Sequence, residues 1–286
     1  MLANFYKISF TLTTLAITSL ITSNAQASLL VASTRNNSVL EYNETTGAFI
    51  KPFIPSGSGG LIAPIDPTFG PDKNLYVTSF GTDSVLKYDG TTGAFINDFI
   101  PSGSGGLLRV RDLVFGSDNN IYVASEGTNS ILRYSGITGA FIDAFVASGS
   151  GGLSAPIGLE FGPDNNLYVV SFITNSVLKY DGITGAFLDE FVASGSGGLT
   201  APLGLAFGFD NNLYVGSFGT NSVLKYDGTT GAFLDDFIPS GSGGLNGPVI
   251  SVFTPVPEPS STLGILILGA FGGGSLIIEL IKRQSR

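Results

Sequence analysis

The chain has 286 residues and a net charge of −9, and it contains neither cysteine nor histidine. The missing cysteine excludes disulfides, iron–sulfur clusters and thiolate zinc sites, and the missing histidine removes the commonest general base and the commonest metal ligand. Acidic residues outnumber basic ones by 20 to 9 between Ser28 and Pro255, so this body is expected to repel nucleic acid and anionic membrane surfaces.

Residues 1–27 are predicted to be a secretory signal peptide. Lys7 is their single charged residue, an apolar stretch runs from Ile8 to Ile21, and Ala25-Gln26-Ala27 supplies a small-x-small cleavage pattern. The stretch is too short and too rich in Thr and Ser to be a typical membrane span. A retained N-terminal anchor is the alternative. The pattern therefore predicts export across the inner membrane.

The middle of the chain, residues 28–255, is a repeat with a period of 46 residues. A Leu-Tyr-Val or Ile-Tyr-Val triplet begins at Leu75, Ile121, Leu167 and Leu213, and Leu29-Leu30-Val31 takes its place in the first copy. Gly-Ala-Phe and Ser-Gly-Ser-Gly-Gly-Leu recur five times at the same spacing. The five copies are 29–74, 75–120, 121–166, 167–212 and 213–254.

Each copy offers four short β-strands between turn signals such as Asp210-Asn211-Asn212 and Asp181-Gly182. Leu-Tyr-Val and Val-Leu-Lys-Tyr are apolar on both strand faces, which is typical of sheets sandwiched between neighbours. The pattern predicts an all-β fold, a β-propeller of five four-stranded blades, with a β-solenoid as the rival architecture. We expect the C-terminal strand, residues 247–253, to complete the first blade and close the ring.

The segments Pro202–Phe207, Asp210–Val215 and Asn221–Asp227 resemble the NHL-repeat family, and the resemblance covers residues 29–254. This resemblance implies a β-propeller. Members of the family commonly have six blades, whereas five copies are present here, and serine stands where the family often has an acidic residue after the Tyr-Val strand. Some related propellers are lyases or lactonases, but no matching set of their histidine or metal-ligating residues is found in this chain.

Charged residues that differ between copies form the first candidate site. The second copy has Arg109-Val110-Arg111 where others have Ala-Pro-Ile or Ala-Pro-Leu, and it is followed by Asp112. Glu126 replaces a phenylalanine, and Asp66 and Glu160 lie on or beside the strands expected to line the channel. We predict a polar cluster at the channel mouth, against the alternative that these residues vary freely on the surface and pair with one another. The predicted polar cluster comprises Asp66, Arg109, Arg111, Asp112, Glu126 and Glu160.

Aromatic residues after the Tyr-Val strand form the second candidate site. Phe80, Phe172 and Phe218 occupy this position, where exposed rings would stack on sugars, one weak site per blade, and buried rings would fill the space between blades. No metal site is predicted. Each Asp-Asn turn offers one carboxylate, and calcium needs six to eight oxygens, so the turns are interpreted as structural, with calcium as the alternative.

The C-terminal 31 residues, 256–286, are predicted to be a sorting signal. Val256, Pro257, Glu258 and Pro259 precede an apolar span from Leu263 to Ile281, and a basic tail ends the chain. The span is long enough for one transmembrane helix. The three parts in this order resemble the PEP-CTERM signal, which implies processing by an exosortase-type membrane protease and association with extracellular polysaccharide or the cell envelope. An ordinary tail anchor is the alternative.

These features favour a non-enzymatic, exported binding or structural module of the cell envelope or polysaccharide matrix, without a cofactor. A metal-assisted lactonase or lyase, with an acidic site at the channel, is the first alternative. A scaffold for protein partners is the second.

Overall fold

A computed structural model of the chain describes residues 28–43 and 46–248. These residues form five antiparallel sheets in chain order, which confirms the prediction of an all-β chain with five blades of the propeller type. The first sheet comprises β1 (Ser28–Ser33), β2 (Ser38–Asn43) and β3 (Phe49–Ile54). The second to fifth sheets comprise β4 (Pro64–Phe69), β5 (Leu75–Ser79), β6 (Ser84–Tyr88) and β7 (Phe95–Ile100); β8 (Val110–Phe115), β9 (Ile121–Ser125), β10 (Ser130–Tyr134) and β11 (Phe141–Val146); β12 (Pro156–Phe161), β13 (Leu167–Ser171), β14 (Ser176–Tyr180) and β15 (Phe187–Val192); and β16 (Pro202–Phe207), β17 (Leu213–Ser217), β18 (Ser222–Tyr226) and β19 (Phe233–Ile238).

The hydrogen-bonded sheets are offset by one strand from the sequence repeats. The repeat 75–120 contains β5 to β8, whereas the sheet runs from β4 to β7. The first sheet therefore has three strands among the described residues, and the strand expected at 247–253 lies beyond them except for Gly247 and Pro248. The predicted signal peptide, sorting motif and transmembrane segment also lie outside the described residues. Within residues 28–43 and 46–248, no helix is long and apolar enough to cross a membrane.

The chain divides into two compact units, one ending at Ile157 and one beginning at Gly158. In the first unit, two apolar clusters hold successive sheets together. One contains Val39, Ile54, Leu75 and Tyr88 from the first and second sheets. The other contains Tyr76, Val85, Leu113 and Val123, among others, from the second and third. All five residues of β5 are buried, so this strand is covered on both faces, as its sequence predicts.

An aromatic contact links the last strand of the second, third and fifth sheets to the loop that follows the preceding sheet. Phe95, the first residue of β7, packs against Gly59, and the Tyr88 hydroxyl donates to the Ser58 carbonyl oxygen at 2.8 Å. Phe141 and Tyr134 repeat this contact on Gly105 and Ser104 in the first unit, and Phe233 and Tyr226 repeat it on Gly197 and Ser196 in the second. The Ser-Gly-Ser-Gly-Gly loop thus packs against an aromatic ring of the next sheet.

A side-chain hydrogen bond fixes the entry into each following sheet. Asn37 accepts the Ala63 backbone N–H at 2.9 Å, and both residues have left-handed backbone conformations. The same bond, over 26 residues, joins Asn129 to Ala155 at 2.7 Å and Asn175 to Ala201 at 2.6 Å. Asparagine tolerates the left-handed region better than most residues, which explains its recurrence.

We expect Gly59→Ala to destabilise the protein more than Gly57→Ala. Both glycines have positive φ, +63° and +71°, so alanine at either position costs about 1 kcal/mol in backbone strain. A Cβ at Gly59 would also overlap the Phe95 ring, whereas a Cβ at Gly57 would meet nothing within 4 Å. Overpacking adds about 1–3 kcal/mol. Urea unfolding of both variants measures the difference, and equal losses would show that the Phe95 contact does not constrain the loop.

Candidate functional site

The six predicted polar residues fall into separate groups. Arg109, Arg111 and Glu126 meet in the third sheet, and Asp66 meets Asp112 at the boundary between the second and third sheets. Glu160 lies on β12 in the second unit. The six residues therefore divide into an ionic cluster, a carboxyl pair and a single partly buried glutamate.

The ionic cluster is built on one carboxylate that serves two arginines. Glu126, in the turn after β9, has Oε1 2.8 Å from Nη2 of Arg109, and its Oε2 accepts a hydrogen bond from Nε of Arg111. The Arg111 guanidinium lies 4.5 Å from the centre of the Phe80 ring, and that of Arg109 lies 5.9 Å from it. Stacking on an aromatic face is favourable for guanidinium groups.

Exposure within the ionic cluster increases from the anion to the outer cation. The Glu126 side chain is 13% exposed, that of Arg111 26% and that of Arg109 54%. Asp83 completes the cluster, because its carboxylate accepts a hydrogen bond from the backbone N–H of Arg109. In the other copies an asparagine occupies the position of Asp83. Sequence reasoning missed Asp83. The signal was present, since Asn37, Asn129, Asn175 and Asn221 occupy the equivalent positions.

The carboxyl pair joins equivalent positions of two adjacent repeats. Asp66 on β4 and Asp112 on β8 are 46 residues apart in the sequence, an equivalence that sequence reasoning also missed. Burial raises the pKa of Asp66, although hydrogen bonds from the Thr68 hydroxyl, from Asp112 and from the Leu113 N–H oppose this. A hydrogen bond between two carboxyl groups requires a shared proton, as in other carboxyl dyads.

Glu160 is a partly buried carboxyl group on β12. Its Oε2 accepts the Phe207 backbone N–H at 3.0 Å, a contact between the fourth and fifth sheets. Burial raises the pKa of Glu160 to about 7, because the single hydrogen bond only partly offsets the loss of water. A carboxyl group with this pKa can donate or accept a proton near neutrality.

The three phenylalanines predicted to stack on sugars differ in exposure. Phe80 and Phe172 are half-buried, whereas Phe218 is 51% exposed. Phe80 is covered in part by the two arginines. The Phe218 ring lies against Gly247, at the position where Arg109 stands in the earlier copy.

The Asp-Asn turns use their carboxylates within the fold. Asp72 accepts bonds from Asn74 and from the Tyr76 hydroxyl, and it forms an ion pair with Lys87 at 2.8 Å. Burial tends to raise the pKa of Asp72, but the bonds from Lys87 and Asn74 outweigh it and lower the pKa to about 2. Asp118, Asp164 and Asp210 repeat the bonds to asparagine and tyrosine. Among the described residues, no group of three or more acidic side chains could hold a metal ion.

No protein-family model matches the sequence, and no curated protein matches it. Among solved structures, the chain resembles virginiamycin B lyase from Staphylococcus aureus with a TM-score of 0.55 and 16% identity, over 72% of this chain and 65% of the lyase. It thus spans less than two thirds of the lyase. A gluconolactonase from Xanthomonas campestris matches with a TM-score of 0.58 and 18% identity, over 76% and 74% of the two chains. A chain of the nidogen–laminin complex matches with a TM-score of 0.53 and 20% identity, over 69% of this chain and 70% of that chain. At these identities the likeness establishes the β-propeller fold alone.

Two kinds of chemistry are available in this arrangement. The ionic cluster exposes a guanidinium held in place by a carboxylate and a ring, which is a geometry for hydrogen bonding to a ligand. The pKa values of Asp66 and Glu160 are raised by burial, which is a property that acid–base chemistry requires.

We expect the stability of the protein to fall as the pH rises from about 4.5 to about 7, and Glu160→Gln to reduce this fall. The folded state holds the Glu160 proton more tightly than the unfolded chain does, so stability is greatest where both forms are protonated and decreases through the folded pKa. The loss amounts to at most about 3 kcal/mol.

Urea unfolding at pH 5 and pH 8 measures this difference. Glu190→Gln is the matched control, because Glu190 is exposed on β15 in the same unit. An identical pH dependence in wild type and Glu160→Gln would contradict the prediction.

Proposed function

We propose that the chain is an exported, non-enzymatic binding module of the cell envelope or extracellular polysaccharide matrix. The observation that carries this proposal is the ionic cluster. Four charged residues whose counterparts in the other copies are neutral, at positions 83, 109, 111 and 126, gather on one partly exposed surface beside Phe80. Aromatic and charged groups together are the usual components of a polar ligand site.

The two ends of the sequence support the location. A signal peptide at 1–27 and a sorting signal at 256–286 imply export, transient anchoring by the C-terminal helix and processing by an exosortase-type protease. The acidic body argues against nucleic acid as a partner. Envelope proteins or polysaccharide are the partners that fit this route.

Binding is favoured over catalysis because the chain lacks the commonest catalytic side chain. A histidine-to-alanine variant of virginiamycin B lyase is catalytically inactive, and this sequence contains no histidine. The lyase chemistry of that neighbour would therefore need a different proton carrier here.

A lactonase or lyase is the second candidate, and it rests on Glu160 and on the Asp66–Asp112 pair. The three carboxyl groups lie on β12, β4 and β8, the first strands of their sheets, and burial raises the pKa values of Glu160 and Asp66. Stoichiometric calcium binding that is lost in Glu160→Gln or Asp66→Asn, measured by calorimetry, would favour this candidate. Indifference of any lactone hydrolysis to chelators would count against metal assistance.

We expect the purified protein to co-sediment saturably with the extracellular polysaccharide of the cells that produce it. The comparison is made with and without calcium, and with boiled protein as the control for trapping. Saturable binding supports the binding-module proposal. Absence of binding in both conditions would reject polysaccharide as the ligand and direct the search to envelope proteins.

A further inference from the structure

We propose that the ionic cluster of Asp83, Arg109, Arg111 and Glu126 beside Phe80 binds the oxyanion groups of an acidic polysaccharide, with Arg109 as the residue that contacts the ligand. This inference rests on the proposed function and names the class of polysaccharide.

The fold does not need these charges at this junction. At the positions of Arg109 and Arg111, other copies have Ala155 with Ile157 and Ala201 with Leu203. The Asp83 position is asparagine in every other copy, and the Glu126 position is phenylalanine in three. The same backbone bonds form with these neutral residues, as the Asn175–Ala201 bond shows. Replacing apolar packing by ion pairs rarely adds stability, so we infer that the charges serve another purpose.

The arrangement presents a cation, and not an anion, to solvent. Glu126 is nearly buried, Asp83 is half-buried and bonded to the backbone, and the Arg109 side chain is the most exposed of the cluster. A sugar hydroxyl can donate or accept, so it binds either a carboxylate or a guanidinium, whereas an oxyanion can only accept and forms its strongest hydrogen bonds with charged donors such as a guanidinium. The exposed group therefore fits an anionic ligand at this one local cation, on a body whose overall negative charge opposes polyanions elsewhere.

The Arg109 guanidinium is also held ready for a ligand. Its Nη2 meets Glu126 at 2.8 Å and its plane lies near Phe80, so the loss of side-chain freedom on binding is reduced. Elsewhere among the described residues, Lys87, Arg133, Lys179 and Lys225 each have a carboxylate of their own. Glu126 is shared by two arginines, which leaves guanidinium donors beyond those that it can accept.

The test measures affinity for three polymers by surface plasmon resonance: alginate, which carries carboxylates, dextran sulfate, which carries sulfates, and neutral dextran. We expect wild type to bind one or both acidic polymers, more weakly as NaCl increases. Arg109→Gln should weaken this binding at least fivefold. Arg35→Gln is the matched control, because Arg35 is an exposed arginine of the first sheet and its loss changes the net charge equally.

Two further variants separate ligand contact from structural support. Arg109→Lys keeps the charge but loses the planar fork, so its affinity should lie between wild type and Arg109→Gln. Glu126→Gln removes the competing anion and should strengthen binding to the acidic polymer, while urea unfolding records any loss of stability. A cluster with a purely structural role would change the unfolding midpoint and leave affinity unchanged.

The outcomes distinguish this inference from the proposed function. Equal weakening by Arg109→Gln and Arg35→Gln, or binding to dextran alone, would overturn the inference and leave polysaccharide binding intact. Failure to bind alginate, dextran sulfate, dextran and the native polysaccharide would overturn the inference and also reject polysaccharide as the ligand of the proposed binding module, which would leave envelope proteins as its partners.

Discussion

Packing of sheet against sheet requires strands that are apolar on both faces. β5 and its counterparts β9, β13 and β17 meet this requirement with Leu or Ile, Tyr and Val in succession, and all of their residues are buried. Each buried aliphatic side chain contributes about 1.5–3 kcal/mol. The polar groups in these layers, such as Ser79, Thr82 and Ser84, bond to one another at 2.6 and 2.8 Å, so that no hydroxyl opposes the packing.

The fold could be predicted because the sequence repeats. Each of the five copies shows the same succession of four strands and their turns. The contact of Phe95 with Gly59 was not predictable, because the two residues lie 36 positions apart in the sequence and meet only when the sheets pack together. The offset between repeats and sheets could be inferred from the first copy, which begins at the counterpart of the Leu-Tyr-Val strand and therefore lacks the strand that precedes it in the other sheets.

Sequence analysis found three of the four residues of the ionic cluster, but not the way in which they pair. Arg109, Arg111 and Glu126 stood out because they differ from their counterparts, but the sequence does not show that one carboxylate serves both arginines. Asp83 escaped notice because aspartate and asparagine both suit a turn. The raised pKa of Glu160 depends on burial between β12 and β16, which no local pattern contains.

The outermost strand of each sheet has an unpaired backbone edge, and its first two residues are exposed and apolar, as with Phe95 and Ile96. Such an edge is a template for adding further strands from other molecules. Carboxylates follow these residues at Asp98, Asp143, Asp189 and Asp235, so like charges would be brought together when two edges meet. The acidity of the chain thus opposes association of these edges at neutral pH, and neutralising those carboxylates in acid would favour fibrillar association.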